Sequence, residues 1–443
     1  MHQSNKNTHA VVMGGSMAGL FTARVLSDHF DQVTIIERDP VHDQPESRKG
    51  QPQTRHLHGV LRPAQDFLEK YLDGTVEKLL DGGAIIGDWG SNIRWWQFGG
   101  YRVNAEIDMH GISLSRPFME YHVRKAVLAI KNISLCDNTS ADALVMDESN
   151  SRVVGLKISH RSQHGEEEIL PTDLVIDACG RGTPLPKWLN QLGYDKPEKE
   201  EVKIRVKYTT RVYHRVGEHI DNPKLYMIAT SPPHDYIGTF MFPVEDNRWI
   251  VTAGGWHGHH APTDEAEFMD FLQTLPTPDI YDILSESEPI SDIMTHNYPA
   301  SRRFNYNKLN RFPDGLLVIG DSAASFNPIY GQGMSSAALQ AEALNEVLSA
   351  GSTGSLWREF FAKQAKIIDL PWTLTVGEDF RYPETEGKKP FAIDLVNKYV
   401  EAVHRATHKD KVVYEQFLQV MNLLEPPTTL MRPSIVWRVL RAQ

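Results

Sequence analysis

Hydrophobic positions follow two periods along the chain. Short continuous apolar runs, the pattern of strands covered on both faces, occur at His9–Met13, Gln32–Glu37, Asp173–Asp177 and Gly315–Gly320. Glycine-rich turns end three of them. Helical spacing predicts helices over about Leu20–Phe30, Pro63–Leu80 and onward from Met334, where Ala337, Ala338, Ala341 and Leu344 share a face. Ser115-Arg116-Pro117 opens another helix to about Ile130, with a serine N-cap and proline just inside it. Gly82–Met109, rich in glycine and tryptophan, reads as short strands, and Ile133–Ile169 as a strand followed by a β-meander. From Lys203 the period shortens to two: Lys203–Val212, Leu225–Ala229, Gly238–Pro243 and Arg248–Ala253 predict antiparallel strands. An acidic helix at about Asp264–Leu275 and a return strand near Thr295–Pro299 follow. Pro371–Pro390 reads as irregular. Two amphipathic helices close the chain, striped by Ile393, Val396, Val400, Val403 and by Val413, Phe417, Val420, Leu424.

The first glycine turn, Gly14-Gly15-Ser16-Met17-Ala18-Gly19, sits between a buried strand and a helix. That arrangement sets backbone N–H groups and the helix's positive end against a pyrophosphate. The next strand ends on Glu37, eighteen residues after Gly19, where a carboxylate accepts from ribose hydroxyls. Ser16 stands where a second glycine is expected and is small enough for a phosphate to approach. This end of the chain is predicted to hold an adenine dinucleotide, NAD or FAD.

Composition narrows the partners. A chain of 443 residues, 41% hydrophobic and 23% charged, implies two or three ordinary globular domains. The net charge of −11 argues against a nucleic-acid partner. Cys136 and Cys179 form no CxxC, which fits a reducing compartment. The N-terminus lacks a signal-peptide pattern, and no apolar run is long enough to span a bilayer. A cytoplasmic location is the expectation.

Three strand-ending turns choose between the dinucleotides: Gly14–Gly19, Asp177–Gly182 and Gly320–Gly333. An NAD enzyme needs only the first. FAD also needs its ribityl chain and ring held; Asp321 offers an acceptor for a ribityl hydroxyl. The helix start at Gly333-Met334 offers N–H groups to the ring edge that becomes negative on reduction. Glycines 331 and 333 let backbone lie flat against a ring.

This ordered triple, with Asp177-Ala-Cys-Gly-Arg-Gly and Gly320-Asp-Ser-Ala…Asn327-Pro-Ile-Tyr-Gly-Gln-Gly, resembles the FAD-dependent monooxygenases of the p-hydroxybenzoate hydroxylase fold over about residues 9–350. Asn327–Met334 and Glu378–Gly387 are most similar to the squalene-epoxidase-like branch and its bacterial polyene and polyether epoxidases. Cys179–Gly182 departs from the family's usual Asp-Gly. The resemblance implies an α/β (α+β overall) fold: a Rossmann-like FAD domain (1–83, 110–195 and 297–370), an inserted, mostly antiparallel β-sheet substrate domain (84–109 and 196–296), and a C-terminal helical region (371–443). It implies FAD contacts at Gly14, Gly15, Ser16, Ala18, Gly19, Glu37, Arg38, Arg48, Arg116, Asp321, Pro328, Gly331, Gly333 and Met334. It further implies oxygen insertion from O2 through a flavin C4a-(hydro)peroxide, by epoxidation or hydroxylation of an apolar unsaturated or aromatic molecule of secondary metabolism. NAD(P)H would be the reductant, directly or through a partner flavin reductase, because no second nucleotide fingerprint is visible.

The chemistry is flavin-borne, so no catalytic triad is expected. Trp95, Phe98, Tyr226, Phe240, Phe242 and Trp256 are candidate cavity walls, with Trp96 beside them; His58 with His56 has two readings, a place near the flavin edge or a satisfied structural role. His257, His259 and His260 lack a further ligand at metal spacing, so no metal site is predicted. Ile435–Leu440, with Trp437, is read as a docked helix end, with membrane contact as the other reading. Two other functions share the fold: a flavin-dependent halogenase, although the W-x-W-x-I-P motif of the tryptophan-type halogenases is absent here, and a prenyl-chain reductase.

Overall fold

The computed structural model describes residues 8–161, 165–351 and 354–442; the N-terminal residues 1–7, read above for a targeting signal, lie outside them. The continuous apolar runs form a five-stranded parallel sheet, ordered Leu316–Val318, Leu174–Asp177, His9–Met13, Gln32–Ile36, Ile133–Cys136. Met13 pairs with Asp177 and with Ile36, and Asp177 with Val318. This register brings the carboxyl ends of the strands level, so all three glycine turns open side by side. In such sheets the crevice beyond those ends is where ligands bind.

An eight-stranded sheet stands beside this layer, ordered Ala324–Ser325, Met294–Phe304, Lys199–His214, Arg248–Gly255, Ile237–Val244, Leu225–Ile228, Ile93–Gln97, Gly100–Tyr101. Its pairs are antiparallel except Leu225–Ile228 with Ile93–Gln97. One face carries Tyr226, Met241, Trp249 and Val251, buried against helices Glu265–Gln273 and Asp279–Ser285. The other face looks toward the turns and the C-terminal helices. The fold class is as expected: mixed α/β with an antiparallel sheet and closing helices.

Several local expectations fail for identifiable reasons. The first helix is Met17–Leu26, not Leu20–Phe30, because Ser16 is already extended and serves as its N-cap residue. The helix expected over Pro63–Leu80 is two, Arg62–Tyr71 and Thr75–Asp81, broken at Gly74, whose φ is +72°. Pro371–Pro390 is not irregular at its start: the helix Leu356–Asp379 runs through Pro371. An interior proline costs about 3 kcal/mol. Burial of Trp372 and Val376 just beyond it returns a comparable amount, at about 1.5–3 kcal/mol each. A third closing helix, Pro433–Arg441, docks by Ile435 and Val439 and leaves Trp437 and Leu440 exposed. No helix among the described residues is long and apolar enough to cross a membrane.

Candidate functional site

The first turn is shaped by contacts that only glycine permits. Gly14 has φ +108°, and a Cβ there would lie 2.5 Å from the Ala178 carbonyl oxygen. A Cβ on Gly19 would lie 1.8 Å from the Gly14 carbonyl oxygen. The Gly15 N–H donates to Glu37 Oε2 at 2.8 Å, so the terminal acid of the second strand ties back to the turn. Ser16 has its own reason: its hydroxyl donates to Glu120 Oε2 at 2.8 Å and accepts from Arg116 Nη2 at 2.9 Å.

Glu120 was not among the residues singled out from the sequence. It lies on the helix Arg116–Leu128, four residues from both Arg116 and Arg124. That spacing was the available signal. Burial raises the Glu120 pKa, but Arg116, Arg48 and the Ser16 hydroxyl outweigh it and hold the carboxyl below its ordinary value. Arg48 sits between Glu37 and Glu120, about 2.8 and 2.5 Å from their oxygens, and donates to the Gly15 carbonyl. It braces the turn from beneath; the cavity wall is formed instead by Arg38, Arg116 and residues 139–142. Gly15 and Gly19 likewise shape the turn from behind that wall.

The second and third turns are clamped together. Asp177 accepts from the Cys179 N–H at 2.9 Å, from the Thr183 hydroxyl, and from the Ser322 hydroxyl at 3.0 Å. Burial raises the Cys179 thiol pKa well above its ordinary value, as expected of a packed thiol. Asp321 lies on the cavity wall; burial raises its pKa against the pull of Arg181, Arg116 and Arg302. Added Cβ atoms on Gly331 and Gly333 would meet nothing within 4 Å, so backbone there faces open space.

The loop between Asn327 and Gly333 hangs on a residue of the Glu378–Gly387 segment to which the sequence assigns no role of its own. Asp379, at the end of the helix Leu356–Asp379, is fully buried. Its Oδ1 accepts from Tyr330 Oη at 3.1 Å, Asn327 Nδ2 at 3.3 Å and Trp256 Nε1 at 3.4 Å, while Oδ2 has no partner. Tyr208 Oη donates to Asn327 Oδ1 at 2.6 Å. Burial pushes the Asp379 carboxyl up to about 7, despite the hydrogen bonds that lower it.

All three turns line one cavity of about 1120 Å³, just above the roughly 300–1,000 Å³ of single-ligand sites. Gly14, Ser16, Ala18, Glu37, Arg38, Arg116, Asp321, Pro328, Gly331, Gly333 and Met334 line it. So do His58, Trp95, Phe240, Phe242 and Trp256. Phe98, Tyr226 and Trp96 do not. Strand alternation turns Tyr226 and Trp96 to the opposite face, against Trp249 and Tyr101, whereas Met227 and Trp95 face the cavity. Phe98 lies past the strand end at φ +49°, its ring 5.0 Å from that of His404. The closing helices supply wall that was not anticipated, including Leu374, Val400, Phe417 and Met421.

Histidines 56 and 58 both line the cavity. His56 Nδ1 meets the Thr210 hydroxyl at 2.7 Å, and His58 Nδ1 the His56 carbonyl at 2.8 Å, which makes His58 Nδ1 the protonated nitrogen. Burial, with nearby cationic groups, brings their pKa values down to about 3 and about 4. Both are neutral at pH 7. His257 meets the Thr385 hydroxyl and His259 stacks on Tyr236, apart from this wall.

The donor set fits FAD. A glycine turn with a helix start, a carboxylate at the end of the second strand, a cavity-facing arginine, a second carboxylate and an open glycine surface line one continuous cavity.

No protein-family profile matches the chain. It is 31% identical over 444 residues to Protein Rv3254 of Mycobacterium tuberculosis, an alignment covering 97% of this chain and 92% of that protein. It is 24% identical over 201 residues to kynurenine 3-monooxygenase of Cytophaga hutchinsonii, covering 43% of this chain and 41% of the enzyme. Among solved structures, the flavin-dependent brominase Bmp2 superposes with a TM-score of 0.68 at 13% identity, covering 98% of each chain. The fold is therefore that of the p-hydroxybenzoate hydroxylase-like flavoenzymes.

Proposed function

We propose that this chain, which belongs to the family of Mycobacterium tuberculosis Protein Rv3254, is a FAD-dependent monooxygenase acting on an apolar unsaturated or aromatic small molecule. The observation that carries the proposal is the meeting of three glycine turns, from strands far apart in sequence, on one cavity whose remaining wall is largely, though not wholly, aromatic and aliphatic. The likeness to a kynurenine monooxygenase supports this class, and that to a flavin-dependent brominase supports the shared fold.

When bound, FAD supplies the redox and oxygen-transfer chemistry. The protein's part is placement and exclusion of water. The turn Gly14–Gly19 offers the helix N-terminus to the pyrophosphate, with Arg116 beside it. Glu37 accepts from the adenosine ribose, and Asp321 from a ribityl hydroxyl. Backbone at Gly331–Met334 lies along the ring, and the start of the helix Gly333–Ala350 favours negative charge there. Trp95, Phe240, Phe242 and Phe417 keep the substrate side dry. Epoxidation or hydroxylation, reduction by NAD(P)H directly or through a flavin reductase, and placement in the squalene-epoxidase-like branch belong to the same proposal.

The test is direct. Purified protein is examined for a bound-flavin spectrum, then incubated with NAD(P)H, a general flavin reductase, O2 and bromide in the presence of candidate apolar substrates. A product heavier by one oxygen atom supports the proposal. Bromide incorporation indicates the halogenase reading, and addition of two hydrogens the reductase reading; either overturns it. Failure to bind FAD overturns all three.

A further inference from the structure

The cavity extends beyond the ring-binding loop to a second polar group. Strand Ile93–Gln97 and helices Ile393–Ala406 and Lys411–Met421 bring Trp95, His404 and Phe417 onto its wall. Behind them Arg102 is 5% exposed and lies over the rings of Trp95 and Phe417, at 4.4 and 4.6 Å. It donates to Gln97 Oε1 at 2.8 Å, to the His404 carbonyl at 3.2 Å, to the Thr407 hydroxyl, and to His404 Nδ1 at 2.7 Å. The acidic groups that act on it, Tyr414 and Glu378, lie beyond ion-pair distance. Among the described residues, then, the guanidinium is a buried cation with no ion-paired carboxylate.

That contact decides the state of His404. Arginine has only donors, so His404 Nδ1 must accept with its lone pair, and the ring proton sits on Nε2. Burial and the charge of Arg102 keep the ring neutral, well below its ordinary pKa. His404 is 5% exposed, yet it lines the cavity, and among the described residues no acceptor is set against Nε2. The result is a fixed N–H donor on a buried residue, backed by a positive charge that no carboxylate among the described residues pairs directly.

We propose that His404 Nε2–H anchors a carboxylate on the substrate, making the substrate an elongated apolar molecule with an acidic end. The anion completes a chain of guanidinium, imidazole and carboxylate, and supplies the charge that the buried arginine lacks. The length follows from the sheet. Tyr208, which holds the Asn327 loop, and Trp95 lie four strands apart, roughly 19 Å at about 4.8 Å per strand. His404 is a specificity-determining residue in this scheme. Only the chemistry at the far end of the molecule depends on the monooxygenase proposal.

Calorimetric titration of the purified full-length protein with dodecanoate and with methyl dodecanoate, both below their aggregation limits, tests it. The acid is expected to bind about tenfold or more tightly than the ester, as a charge-assisted hydrogen bond requires. His404→Phe should abolish that preference while retaining ester binding, and His404→Gln, which keeps an N–H donor, should retain part of it. Equal affinities in the wild type, no binding of the acid, or an undiminished preference in His404→Phe overturn the proposal. Should His404→Phe fail to fold, the wild-type comparison and His404→Gln decide. The flavin spectrum is recorded before each titration. A colourless protein that still prefers the acid defeats the monooxygenase reading and leaves this one standing; a yellow protein without the preference does the reverse.

Discussion

At the scale of single residues, Ser16 and Asp379 show how neighbours set a side chain's role. Ser16 departs from the glycine pattern with its hydroxyl committed to Glu120 and Arg116, which braces the turn while the residue still lines the cavity. Asp379 carries a testable pH signature. Its carboxyl titrates at about 7 in the folded protein against 3.8 ordinarily. Between those values the unfolded chain has released a proton that the folded chain keeps, so this residue makes stability fall as pH rises from about 4 to about 7, then level off. His56 and His58 act the other way: depressed below 6.5 to about 3 and about 4, they recover stability as pH rises toward 6.5. Asp379→Asn leaves those histidines in place. The difference in melting midpoint between wild type and variant, followed from pH 4 to 8, should therefore show the Asp379 slope alone. A difference that does not change with pH would refute the assignment.

At the scale of elements, periodicity was a good guide to type and a poor one to facing. The helix Arg116–Leu128 begins where its cap and proline indicated, with the Ser115 hydroxyl accepting from the Phe118 N–H at 3.3 Å. Ser115→Ala should cost about 1 kcal/mol, read from the denaturation midpoint in urea. Neighbouring tryptophans 95 and 96 could not be assigned to a face from sequence, because each face of that sheet is covered by its own apolar layer. The helix through Pro371 was missed for a similar reason. A local breaker was outweighed by burial against elements distant in the chain.

At the scale of the whole molecule, the site is built from both sheets and the closing helices, so a ligand filling it should stabilise the chain as a unit. FAD at a hundredfold excess over its dissociation constant should contribute about 2.7 kcal/mol. FMN, which lacks the adenosine half proposed to lie against Glu37, should raise the melting midpoint far less. Equal shifts with the two flavins would remove the adenine end from the site.

The turn Gly14–Gly19, Glu37 and the strand end at Asp321 were legible in the chain itself, because each is set by local backbone geometry and spacing. The α/β class followed from the same patterns. Glu120 beneath the turn, Asp379 behind the loop, and the pairing of Arg102 with His404 across 302 residues required the fold. Their roles come from burial and from charges brought together by packing, and neither quantity exists until distant segments meet.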